Sequence, residues 1–120
     1  STVTGEIVNT SRISAILDSS TGITESGGSN AYTITIASAD AAASASDLNS
    51  INDLTTVAVN LTNVTSLTSS SLSDLGTLAT AIGNNEFSNA TGLTTIAVSD
   101  TTIEADALAA RIDSLLGKNL

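Results

Sequence analysis

Polar and apolar residues alternate with a period of two over Tyr32-Thr33-Ile34-Thr35-Ile36, and the run is β-branched from Thr33 onward. That pattern predicts a half-buried strand over Tyr32–Ala37. Similar runs occur at Val3–Val8, Val64–Thr68 and Thr95–Val98. The starts of these four runs are spaced by roughly 30 residues, a period typical of stacked repeats. A further β-like run, Val57-Ala58-Val59-Asn60-Leu61, lies between the second and third units.

Each of the four runs is followed by a stretch with helical spacing. These are SRISAILDSS from Ser11, SDLNSINDL from Ser46, SDLGTLATAIG from Ser73 and IEADALAARIDSLLG from Ile103. Within them Ile13 falls beside Ile16 and Leu17, Leu48 beside Ile51, and Leu75 beside Leu78 and Ile82. In the last, Leu108 lines up with Ile112, Leu115 and Leu116. Residues three and four apart share one helix face, so each stretch presents a narrow apolar stripe. Ser or Thr together with Asp precedes the second, third and fourth helices, where a side-chain oxygen can cap unpaired amides. Thr101 and Glu104 have capping-box spacing, and Gly83 and Gly117 stand where left-handed C-caps are expected.

One strand and one short helix cannot bury their apolar faces alone, whereas successive units can bury them against each other. The expected architecture is therefore α/β: short βα repeats of about 31 residues stacked as a solenoid with a parallel sheet. The chain divides into four units, 1–31, 32–63, 64–94 and 95–120, within a single repeat domain. The default right-handed crossover applies to each βα connection. A small open α/β sheet built from the same elements is the alternative.

Composition narrows the picture. Hydrophobic residues make up 41% of the chain, yet Tyr32 and Phe87 are its only aromatics. Cys, Met, Trp, Pro and His are absent, and roughly a third of the residues are Ser or Thr. A core made of Ala, Val, Ile and Leu is filled in thin layers, which suits stacked repeats. Net charge is −9, with Arg12, Arg111 and Lys118 as the only bases. Three scattered bases cannot supply the cationic footprint that nucleic acid or an anionic membrane surface demands. No stretch approaches the ~18 apolar residues of a membrane-spanning helix. The start at Ser1-Thr2-Val3-Thr4 is no signal peptide, and the lack of an initiating Met leads to the expectation of a fragment of a longer chain.

Several pieces resemble the tandem repeats of giant cyanobacterial and other bacterial cell-surface, adhesin-like proteins. They are Ser46-Asp47-Leu48-Asn49-Ser50-Ile51-Asn52-Asp53, Val64-Thr65-Ser66-Leu67-Thr68, Ser73-Asp74-Leu75 and Ile96-Ala97-Val98-Ser99-Asp100-Thr101-Thr102. The resemblance covers Tyr32 to Leu108 and implies an extracellular or cell-surface spacer or adhesin stalk. Its expected partners are neighbouring repeats of the parent chain. It supplies no catalytic residues. Calcium-binding Gly-Gly-x-Gly-x-Asp repeats, common in such proteins, are not matched, because Gly27-Gly28 is followed by Ser29-Asn30.

Candidate chemistry is sparse. Nucleophilic catalysis needs a base beside the nucleophile, and with no His or Cys the many serines have no activator. Asp100 with Glu104, or Glu104 with Asp106, would be the carboxylate pairs for glycoside hydrolysis, but aromatic sugar platforms are missing. The chain is read as non-catalytic. Zinc lacks its usual sulfur and imidazole ligands. Calcium asks only for oxygen, and Asp40 with Asp47, or Asp100 with Glu104 and Asp106, are the candidates for it. No D-x-D-x-D loop frames them, so the plainer reading is solvated caps and surface charge, with no cofactor. Thr33 and Thr35 form the one clear T-x-T strand motif, too few rows for an ice-binding face. Asn9, Asn60, Asn63 and Asn89 match the N-glycosylation pattern, as expected in so Asn-, Ser- and Thr-rich a chain.

The leading expectation is a structural spacer module of a large secreted or surface protein, self-associating end to end or along strand edges. A binding module using the polar links Gly22–Asn30 or Gly83–Gly92 is the alternative.

Overall fold

A computed structural model of the chain describes residues 3–20, 22–23 and 30–100. Among them are seven short strands and three α-helices. The order is β1 (Thr4–Glu6), α1 (Ile13–Ile16), β2 (Ala31–Thr33), β3 (Ala42–Ala43), α2 (Ala45–Asn52), β4 (Val59–Asn60), β5 (Ser66–Ser70), α3 (Leu72–Gly83), β6 (Phe87–Ser88) and β7 (Thr95–Val98). Two 3-10 turns, Ser38–Asp40 and Ala90–Gly92, precede β3 and β7. The chain is thus mixed α/β. The helix expected from Ile103, with Thr101, Glu104 and Gly117 at its ends, lies outside the described residues.

Every strand pair is parallel. Thr4 stands opposite Ala31, Ala42 opposite Ser66, Val59 opposite Phe87 and Ser66 opposite Thr95, so each partner comes 24 to 29 residues later. The pairs form three small sheets, ordered β1-β2, β4-β6 and β3-β5-β7. A bridge from Thr35 to Asn60 joins the first two, where Asn60 N donates to Ile34 O and Ile36 N to Asn60 O. The elements therefore fall into two rows. The first holds β1, β2, β4 and β6, and the second holds β3, β5 and β7.

Two rows correct the expectation of one parallel sheet through the four sequence runs. The runs at Val3 and Tyr32 belong to the first row, those at Val64 and Thr95 to the second. The run at Val57–Leu61, an extra run not counted among the four, is the one that pairs with the Tyr32 run. Ala42-Ala43 and Phe87-Ser88 escape a periodicity reading because two residues cannot show a period.

Helices pack in the same serial way, α1 against α2 and α2 against α3. Ala45, Leu48 and Ile51 are the buried face of α2, and Leu75, Leu78, Ala79 and Ala81 are buried on α3. They meet Ile34, Val59, Leu61 and Leu67 from the strands in one continuous core. Side chains this short keep the helix layer close to the sheets, consistent with the aromatic-poor composition.

Helix starts lie slightly upstream of the sequence reading. Ser44 Oγ accepts from Asp47 N at 3.1 Å and Ser71 Oγ from Asp74 N at 3.1 Å. Ser46 and Ser73 sit one residue inside their helices, so each cap is the serine two positions earlier. The C-cap of α3 is also corrected. Gly83 is the last helical residue, and the left-handed position is Asn85, with φ 62°. Glu86 N donates to Ala81 O and Asn85 N to Ile82 O, the paired bonds of a Schellman motif. Asparagine tolerates this conformation better than most residues, which is why a non-glycine serves here.

Gly22 has a different constraint. A Cβ there would lie 2.3 Å from Ile16 O and 2.6 Å from Ala15 O, because the chain folds back on the end of α1. Ile23 N donates to Ile16 O at 2.8 Å and fixes that return.

Opposite outcomes are expected from two glycine exchanges measured by urea unfolding. Asn85→Gly removes left-handed strain and raises stability by about 0.5–1 kcal/mol. Gly22→Ala collides with backbone oxygens and lowers it by about 2 kcal/mol.

Candidate functional site

Buried polar groups mark where side-chain chemistry is concentrated. Among the described residues they are Asn30, Asp40, Thr55 and Ser70. Each bonds to chain 23 to 28 residues away. Asn30 Oδ1 accepts from Val3 N, and Thr55 Oγ1 accepts from Tyr32 N at 2.8 Å while donating to Tyr32 O at 2.6 Å. Ser70 Oγ accepts from Ala45 N, the first residue of α2, at 3.0 Å.

Asp40 is the most heavily engaged. Its Oδ2 accepts from Ile13 N at 2.8 Å, and its Oδ1 receives the Arg12 guanidinium through Nε at 2.7 Å and Nη2 at 2.7 Å. Ile13 is the first residue of α1, so this carboxylate satisfies an amide that no intrahelical carbonyl can reach. Arg12 provides no side-chain cap of its own to α1. Asp100 repeats the arrangement, its Oδ2 accepting from Leu72 N, the first residue of α3, at 2.7 Å. Asp40, Ser70 and Asp100 are thus a series 30 residues apart, each capping a helix earlier in the chain. Negative charge at these two helix starts also complements the helix dipole.

This placement sorts the calcium candidates. Asp40 is 8% exposed and bound by two residues, not the solvated cap expected from sequence. Asp47 is exposed in the first turn of α2. No three acidic side chains converge on a metal-sized site among the described residues. Glu104 and Asp106 lie outside them. Neither member of the Asp100–Glu104 and Glu104–Asp106 pairs can be set against the other on geometry, since Glu104 belongs to both.

Three of the four asparagines at glycosylation-pattern positions are used inside the fold. Asn89 Nδ2 donates to Asn60 Oδ1, which also accepts from Thr62 N, and Asn63 Nδ2 donates to Ile36 O. Threonine hydroxyls follow suit: Thr65 Oγ1 donates to Ala41 O and Thr94 Oγ1 to Thr65 O.

One polar groove lies between the C-terminal ends of α2 and α3. A cavity of about 350 Å³ is lined by Asn52, Asp53, Thr55, Thr56, Val57, Asn84, Asn85 and Glu86. It adjoins a shallower one of about 510 Å³ that runs along Ser73, Gly76, Thr77 and Thr80. Asn52 Nδ2 donates to Glu86 Oε1 at 2.8 Å across it. The walls offer amides, hydroxyls and two carboxylates and include no base, so the groove suits a hydroxyl-rich or cationic ligand. Three of its eight lining residues, Asn84, Asn85 and Glu86, come from the Gly83–Gly92 link, which the sequence singled out. The α2 end did not show in the sequence, since Asn52-Asp53 reads as ordinary helix-end polarity.

No family model matches the chain, and neither a curated protein nor a solved structure shows significant similarity to it.

Asp40 tests the capping geometry directly. Asp40→Ala orphans the Ile13 amide and frees Arg12, and is expected to cost about 2–3 kcal/mol in urea unfolding. Asp40→Asn keeps an acceptor for Ile13 N and costs about 1 kcal/mol, while Asp47→Ala, at an exposed site, changes stability by no more than about 0.5 kcal/mol.

Proposed function

We propose that the chain is a non-catalytic spacer module of a large secreted or cell-surface protein, built as a short α/β solenoid. The observation that supports this reading is the constancy of the offset. Strand registers, the caps from Asp40, Ser70 and Asp100, and the bonds of Asn30 and Thr55 connect residues 23 to 29 apart, as they would if each turn of chain rested on the one before. A step of similar length accounts for them together. An open sheet of the same strands would need no such uniform spacing for its side-chain bonds.

The described surface is in keeping with a passive role. Its polar side chains are mostly Ser, Thr and Asn, and many are turned to neighbouring backbone. Arg12, the only base among the described residues, is held by Asp40. No helix of the described residues is long and apolar enough to cross a membrane. The expected partners are adjacent repeats of the parent chain. Labelling intact source cells with an impermeant reagent tests the location: strong labelling supports the surface assignment, and labelling only after lysis sinks it.

The polar groove favours a second reading, an adhesin-type contact with a glycan or a calcium-dependent surface. Thermal melts separate the two. Binding to the native state alone raises its stability by mass action, so millimolar calcium against chelator produces an upward shift of several degrees only for the calcium-dependent module. For the spacer the two melting curves coincide.

Removing residues 1–30 distinguishes a stack from a globule. In a stack, contacts are with nearest neighbours, so the remainder keeps α2 and α3 and unfolds cooperatively at lower urea. Loss of all helical signal in the shortened chain would contradict serial stacking.

A further inference from the structure

Among the described residues, the first strand is paired on one side only. β1 pairs with β2 and with no other strand among the described residues. Ala31 N donates to Val3 O and Ile7 N to Thr33 O, so alternate residues Val3, Gly5 and Ile7 turn their main-chain groups to β2. By the same alternation Thr4 and Glu6 turn theirs away. Val3 at 51% and Val8 at 65% are the exposed large hydrophobics of the described residues, and they flank this strand on either side.

At the other end of the row, β6 pairs only with β4 among the described residues. Val59 N donates to Glu86 O and Leu61 N to Ser88 O, which leaves the amide and carbonyl of Phe87 turned away from β4. Val59 stands opposite Phe87, and continuing the Glu6–Thr33 register forward and the Thr35–Asn60 register back by one residue sets Ile7, Ile34, Val59 and Phe87 in one column. The outward groups of β6 therefore have the phase that β1 would meet if the column continued.

Resting on the stacked-unit reading above, we propose that β1 is the docking edge for β6 of a second copy of this chain. The two strands run parallel, Phe87 of one copy stands opposite Ile7 of the next, and the internal register continues across the junction. The occupant is set by continuity with the contacts inside the chain: the same strand direction, the same alternation of facing groups and the same apolar column. Val3 and Val8 lose their exposure in the junction. Because the two ends are different surfaces, the contact is head to tail and does not close after two copies. Each copy carries a net charge of −9, so repulsion opposes the junction at low salt and screening permits it.

Sedimentation velocity on the full chain, over a range of concentrations in about 20 mM and about 500 mM NaCl, tests the junction. At high salt the mass should climb with concentration past the dimer. Val8→Pro removes the outward amide that Phe87 O of the neighbouring copy would accept, without touching the bonds to β2, and should weaken association roughly tenfold. Val8→Lys adds a charge at an exposed position and should do the same. Circular dichroism checks that each variant folds, and if Val8→Pro does not, Val8→Lys decides. A monomer at both salts overturns the proposal. So does a species that stops at the dimer, which would mean two β1 edges paired about a twofold axis, and so does growth unaffected by the substitutions. A chain that stays monomeric yet survives removal of residues 1–30 would refute the junction alone and leave internal stacking intact.

Discussion

The carboxylate of Asp40 on the first amide of α1 shows the constraint on which the structure depends. Short helices have a large share of unpaired end groups, since four amides per helix lack an intrahelical partner whatever its length. The four-residue α1 cannot hold its own shape by propensity or cooperativity. It is held because a side chain 27 residues later supplies the missing acceptor and Arg12 anchors that side chain in place. Ser70 does the same for α2 and Asp100 for α3, in each case from chain that follows. Secondary structure here is thus a tertiary product: each helix is completed by the element after it.

That dependence explains the composition. A hydroxyl, amide or carboxylate at the right step can satisfy backbone that a longer helix or wider sheet would satisfy by itself. Thr55 bonds both the amide and the carbonyl of Tyr32, and Asn63 reaches Ile36 O, each closing a gap that a two- or three-residue strand leaves open. Burying a polar group without a partner costs more than most single apolar contacts return. The buried polar residues are accordingly bonded, and Asn49 Oδ1 is the one buried side-chain atom among the described residues that has no hydrogen-bond partner. The amide nitrogen of the same side chain is satisfied, donating to Asp74 O.

Much of this order was legible in the sequence, though not all of it for the right reason. Helices α2 and α3 were found because Leu48 with Ile51, and Leu75 with Leu78, satisfy the helical period over enough residues to be read. Alternation predicts a strand over Tyr32–Ala37, of which Tyr32 and Thr33 fall in β2 and Thr35 makes only a single bridge, to Asn60; the period near 30 residues follows from the spacing of such runs. The division into two rows is not legible in the sequence, because Ala42-Ala43 at the start of the second row and Phe87-Ser88 at the end of the first are too short to carry a pattern and gain their strand character only by pairing. Asp40 was noticed as an acid and assigned to solvent or calcium. Its role depends on where residues 12 and 13 lie in space, and nothing local to Ser38–Asp40 reports that. The series Asp40, Ser70, Asp100 is the signal that would have revealed it, visible as soon as hydroxyl and carboxylate are treated as the same acceptor.

On the proposed reading, the stack has a mechanical consequence that composition alone does not suggest. Neighbouring strands are spaced about 4.8 Å apart, so four units advance the stack only about 20 Å, far less than a helix of the same length would span. Such a module gains breadth faster than distance, since each unit is a full turn of chain, so a spacer of this kind reaches far only by adding units. Its stability grows by nearest-neighbour terms, each an apolar layer plus a helix cap, and not by enlarging a common core. Length is then limited by the number of units and by how well their ends are covered, not by the size of any single core. A chain with no cysteine and almost no aromatic residues can extend in this way because each layer asks only for small branched side chains and one well-placed oxygen.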